Sequence, residues 1–168
     1  LFVSCSKDDD PVAVNEEEVI TTLTVTLVPS DASANIILKT QDLDGDGPNA
    51  PVVTVSGDLK ASLAYRGSMK FENETETPAE DITLEVVEEA DEHQVFYTVA
   101  SGLSMIVTST KDDSAGNPLG TEFNLSTNVA STGKLTFTLR HEPKKPNTGL
   151  ADAGGSTDIE ATFDIVIK

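Results

Sequence analysis

Apolar and polar residues alternate with a period of two through most of this chain. Leu23, Val25 and Leu27 interleave with Thr22, Thr24 and Thr26. One face is therefore apolar and the other hydroxylated, as a half-buried strand requires. Ile36 and Leu38 resume the pattern after the turn-like segment PSDAS. The longest alternation runs Leu59, Ala61, Leu63, Tyr65, Gly67, Met69 and Phe71, against Lys60, Ser62, Arg66, Ser68 and Lys70. Gly67 stands in the apolar register, which predicts a bulge or bend there. Further strands are predicted at Val95–Val99, Met105–Val107, Phe123–Val129 and Leu135–Leu139. The chain ends on Ile159, Ala161, Phe163, Ile165 and Ile167 against Glu160, Thr162 and Asp164. So regular a terminal strand is expected to be paired in a sheet.

One segment has helical spacing instead. Ile82, Val86 and Ala90 recur every four residues, and Thr77-Pro78-Ala79-Glu80 before them combines an N-cap, Pro at the first helical position and an acid at the third. This predicts one short helix near 78–90. The segments DGDGPNAP, DDSAGNPLG and PKKPNTGLADAGGSTD are rich in turn residues. Short strands separated by such turns predict an all-β fold, an antiparallel β-sandwich of immunoglobulin-like or transthyretin-like type with about 7–9 strands.

Composition agrees with that fold. Aromatic residues are only 5% of the chain and Trp is absent, so the core must be built from Val, Ile, Leu and a few Phe. The formal net charge of -18, from 29 acidic and 11 basic residues, repels nucleic acid and anionic lipid. It favours cations and basic partners.

Two groups of residues have the chemistry to bind metal. Asp42-Leu43-Asp44-Gly45-Asp46-Gly47 matches the first half of a calcium loop, with carboxylates from Asp42, Asp44 and Asp46 able to converge on one ion. Val53 stands where an EF-hand would place its glutamate, and Pro48 and Pro51 exclude the following helix. The alternative for this loop is an acidic β-turn. His93 and His141 stand at strand ends beside Glu92 and Glu142. If those strands are neighbours, the two histidines could share a transition metal with Glu92 or Glu142; the ordinary expectation is a pair of surface histidines. No GxSxG, HExxH or P-loop motif is present, so the expectation is a non-catalytic protein, with a hydrolase of unrecognised site as a further alternative.

Cys5 is the one cysteine of the chain. It follows Leu-Phe-Val-Ser and precedes Ser-Lys-Asp-Asp-Asp. This segment resembles the end of a bacterial lipoprotein signal, with Leu1–Ser4 as residual signal peptide and Cys5 as the lipidated residue. SKDDD is similar to the acidic tract behind the cysteine in many Bacteroidetes lipoproteins, where it is associated with surface export. Residues 5–18 are polar and acidic and read as a lipidated, flexible tether, leaving 19–168 as a single β-sandwich domain. The segments DLDGDGPNAP, NETETPAEDIT, DEHQVFYT, LRHEP and AGGSTDIEATF resemble small Flavobacteria-type envelope lipoproteins. The resemblance implies a protein anchored in the outer membrane through Cys5 and exposed at the cell surface. The expected role is a binding module, calcium-stabilised through the aspartate loop. It would serve nutrient uptake beside an outer-membrane receptor or hold a small ligand. The alternative is a lipoprotein that captures a divalent transition metal with His93, His141 and the acidic segment from Glu85 to Glu92.

Overall fold

The computed structural model describes residues 18–45 and 47–168. Cys5, most of the tether and Asp46 lie outside the described residues. Within them the fold is all-β. Ten strands are present, β1 Thr22–Pro29, β2 Ile36–Gln41, β3 Val52–Val55, β4 Ala64–Asn73, β5 Glu80–Asp81, β6 His93–Val99, β7 Met105–Ser109, β8 Glu122–Thr127, β9 Ser131–His141 and β10 Ser156–Ile167. Two short helices are α1, Thr83–Glu88, and α2, Leu150–Ala153. The strands form two antiparallel sheets. The larger has the order β3-β2-β1-β4-β8-β7, with β5 paired to β4; the smaller has the order β10-β9-β6.

The alternation read from the sequence is the alternation of burial. Tyr65, Gly67, Met69 and Phe71 of β4 point inward, while Ala64, Arg66, Ser68 and Lys70 are exposed. The inner faces of the two sheets bury Leu23, Val25 and Leu27 against Leu135, Phe137 and Phe163. Each fully buried side chain of this size contributes about 1.5–3 kcal/mol through removal of apolar surface from water. Phe123 of the large sheet bridges to the small one, its ring centroid 5.2 Å from Tyr97 and 5.8 Å from Phe137. These tilted contacts suit the aromatic quadrupole and join the layers in a sandwich-like arrangement.

Several local expectations need correction. Leu59–Leu63 do not extend β4. Leu59 makes an isolated parallel bridge to Ile167, and Ser62 turns the chain with φ 56°. The alternation there reflects burial of Leu59 as the chain crosses from the edge of the small sheet to the large one. Gly67 marks neither bulge nor bend, since it pairs in register with both Leu27 and Phe123. Its missing side chain makes room for the Phe123 ring. The helix begins at Thr83, with Ile82 at the N-cap and no side-chain capping bond. Glu80 and Asp81 are drawn into pairing with Asn73 and Glu72, which takes them out of any capping box.

Other elements lie where turn residues dominate. Strand β3 follows the DGDGPNAP segment, and Val52 and Val53 are both exposed. It is an edge strand held by its hydrogen bonds to β2, so burial imposes no alternation on it. Val129 falls beyond β8 and is exposed. Among the described residues no helix is long and apolar enough to cross a membrane.

Candidate metal centre

The site grows directly out of the register of the small sheet. His93 is the first residue of β6, in phase with Val95, Tyr97 and Val99. His141 is the last residue of β9, in phase with Leu135, Phe137 and Leu139. The two are paired directly across the sheet. In such a pair the side chains leave the same face about 4.5–5.5 Å apart. That face is the inner one, so both imidazoles enter the end of the sandwich. His93 is 0% exposed and His141 4%. They are not surface histidines.

Their rings meet edge to face, with centroids 4.7 Å apart. Nε2 of His93 lies 3.1 Å from Nδ1 of His141. Nδ1 of His93 lies 3.1 Å from the carbonyl oxygen of Glu89, just beyond α1. A carbonyl only accepts, so Nδ1 directs a proton at it and the ring turns Nε2 toward His141. This is the way a ligating histidine is held by a second partner.

Two carboxylates complete the group. Glu18 places Oε1 3.1 Å from His93 Nε2 and Oε2 3.4 Å from His141 Nδ1. Asp158 places Oδ2 4.0 Å from His93 Nε2. The side chain of Glu18 is 5% exposed and that of Asp158 0%. One ligand-type atom from each of Glu18, His93, His141 and Asp158 lies within 4.8 Å of all the others. A tetrahedral ion with bonds of about 2.0–2.1 Å holds its ligand atoms about 3.3 Å apart, so the contacts of 3.1 and 3.4 Å are already at that spacing. Nε2 of His93 faces both Nδ1 of His141 and Oε1 of Glu18 at 3.1 Å. A dication placed between them would draw on all three atoms at once.

Asp158 reaches the site through an irregularity. Strands β10 and β9 pair Thr157 with Arg140 and Ile159 with Leu139, leaving Asp158 as an extra residue between them. Strict alternation would put Asp158 on the outer face with Glu160, Thr162 and Asp164. The bulge turns it inward, a common use of such bulges beside functional sites. Glu18 comes from the other side. It lies just before β1, where Thr21 is fixed to the large sheet by donating its N–H to the Glu72 carbonyl at 3.0 Å.

Glu92 and Glu142 do not join the buried group, although the Glu142 N–H donates to the Glu92 carbonyl at 2.7 Å. They are exposed and form a separate cluster with His141. Glu85 and Glu89 form another with Glu18. Burial, then the charges of Glu18 and Glu89, push the Glu85 carboxyl above its ordinary range. The buried group is thus shared outward on both sides with exposed acids.

The aspartate loop is put to local use. Asp42 Oδ1 accepts from the Asp44 N–H at 3.3 Å, and Asp44 Oδ2 accepts from the Asn49 side-chain amide at 2.6 Å. The Asn49 bonds hold the Asp44 carboxyl below the usual carboxylate range. Asp46, the third proposed calcium ligand, lies outside the described residues.

The sequence carried a signal for the histidines, since each continues the apolar register of its strand by one step of two. It carried none for Glu18, which ends an acidic run predicted to be tether, or for Asp158, whose direction depends on the bulge. Comparisons with protein-family models, with curated proteins and with solved structures gave no match.

Proposed function

We propose that this protein binds a divalent transition metal, of the class of zinc, through Glu18, His93, His141 and Asp158. The observation that carries this reading is the cross-strand pairing of His93 and His141, which brings Nε2 and Nδ1 within 3.1 Å of one another at a buried end of the core. Two imidazoles with two carboxylates suit zinc and its neighbours; calcium and magnesium prefer sites made wholly of oxygen. The geometry therefore favours the transition-metal reading over the calcium-stabilised module. Four protein donors also fill a tetrahedral ion, whereas catalytic zinc keeps one position for water or substrate. That supports capture or storage of the ion over hydrolysis. With Cys5 lipidated, the protein would hold its ion at the outer membrane for delivery to a transporter.

The test is zinc titration of metal-stripped protein against a chelating indicator, with cobalt as a spectroscopic substitute. One ion should bind per chain, and cobalt should give the visible spectrum of a four-coordinate N/O site. His93→Ala and His141→Ala should each weaken zinc by more than about 100-fold, beyond the loss typical of residues that only support a ligand. Equal affinities in the wild type and both variants would sink the reading.

A further inference from the structure

A pocket of about 560 Å³ opens beside the buried group, and two of the four candidate ligands, Glu18 and Asp158, form part of its wall. Asp42 and Asp44 of the aspartate loop line the same pocket, as does Glu160. The loop is fixed in this position, since the Asp42 N–H donates to the Thr21 carbonyl at 2.7 Å, three residues from Glu18. Among the described residues, five that line it are acidic and none is Lys, Arg or His.

We infer that this pocket is the ion's approach to the buried group, and that the species it admits is the free hydrated dication and not an anionic metal chelate. The inference rests on the metal-binding reading above and names the form of its cargo. A cleft lined by one sign of charge concentrates the opposite ion and speeds its arrival by about 10- to 1000-fold. The same field repels a metal carried by a carboxylate-rich chelator. Asp42 and Asp44 act at a distance: they attract the aquo ion, and Glu18 and Asp158, which also contact the histidines, take it toward the imidazoles. This gives the DLDGDG segment a role that needs no calcium and no third carboxylate.

Stopped-flow association of zinc with metal-stripped protein at low ionic strength tests this. In the double variant Asp42→Asn/Asp44→Asn, the association rate constant should fall about tenfold and its salt dependence should weaken, with the dissociation rate unchanged. Circular dichroism and melting of the variant establish that it is folded. An unchanged association rate in the folded variant overturns the inference, and so does a dissociation rate that rises as much as association falls, because the aspartates would then be ligands. A second arm offers zinc as its anionic nitrilotriacetate complex. Uptake should proceed at the rate of chelate dissociation, independent of protein concentration; a rate rising linearly with protein overturns the inference. His93→Ala separates the two levels. If it leaves zinc affinity intact, the metal centre itself fails; if it abolishes binding while the aspartate variant associates normally, the approach alone fails.

Discussion

The ammonium group of Lys145 donates to the carbonyl oxygen of His93 at 2.5 Å. It also donates to the carbonyl of Ala90 at 2.6 Å and pairs with Asp113 at 3.2 Å, with side-chain exposures of only 6% and 1% for the two partners. One buried cation thus ties the end of α1, the start of β6 and the 111–118 loop behind the imidazole. Lys145→Met should cost about 3 kcal/mol in urea unfolding, because it leaves the Asp113 carboxylate buried without its counter-charge. It should also weaken zinc about tenfold by loosening the backbone that aims His93. A folded variant with unaltered zinc affinity would show that Lys145 serves the fold alone.

The same pair makes stability depend on acid. Burial opposes ionisation of Asp113, but hydrogen bonds from Asn117 and Lys145 outweigh it and hold the carboxyl below its usual range. A carboxyl whose folded-state pKa is depressed binds its proton more readily in the unfolded chain. Its contribution is therefore present above about pH 3.9 and is lost as pH falls through the folded-state pKa. Metal-free wild type should lose stability below about pH 4 more steeply than Asp113→Asn. Parallel unfolding curves for the two proteins from pH 6 to pH 3 would contradict this.

Gly67 and Phe123 make a tighter prediction. A Cβ at position 67 would lie 2.1 Å from the Phe123 ring, and that ring is 1% exposed and packed between Tyr97 and Phe137. It cannot swing away without opening the core. Gly67→Ala should destabilise the protein by about 1–3 kcal/mol or more through overpacking. Combining it with Phe123→Leu should cost less than the sum of the two single changes, read as a coupling energy in a double-mutant cycle. Strict additivity would mean that the clash is relieved elsewhere.

The sandwich was legible because its strands are half-buried, so period-two burial writes itself into the residues, as in Leu23-Val25-Leu27 and Ile159 through Ile167. The pattern fades where burial does not act, at the exposed edge strand around Val52. It misleads where the interior accepts chain that is not a strand, as at Leu59. The histidines show the same logic. His93 and His141 extend apolar registers, and that phase marks them as inward-facing. Their meeting depends on which strands are neighbours, which local pattern does not encode. Asp158 was illegible for a sharper reason: one extra residue in β10 inverts its direction, and nothing in Thr157-Asp158-Ile159 announces a bulge. Glu18 was hidden by composition, since an acidic run reads as solvated chain until its last member is found buried against two imidazoles.

Glu18 differs from the other three candidate ligands in where it comes from. His93, His141 and Asp158 belong one each to β6, β9 and β10, the three strands of the small sheet. Glu18 enters from the chain leading into β1 of the large sheet, three residues before Thr21, whose N–H and hydroxyl both donate to the Glu72 carbonyl. An ion held by all four therefore clips the two sheets together at one end of the sandwich. Saturating zinc should raise the melting temperature, with about 4 kcal/mol of stabilisation at a thousandfold excess over Kd. Glu18→Gln should keep the three small-sheet ligands and bind zinc about 10- to 100-fold more weakly. The decisive readout is hydrogen exchange at Val19 and Ile20, measured at equal zinc occupancy. Zinc should slow exchange there in the wild type and leave it unchanged in Glu18→Gln, while protection in β6 and β9 rises in both. Equal protection of Val19 and Ile20 in the two proteins would show that the ion is held by the small sheet alone.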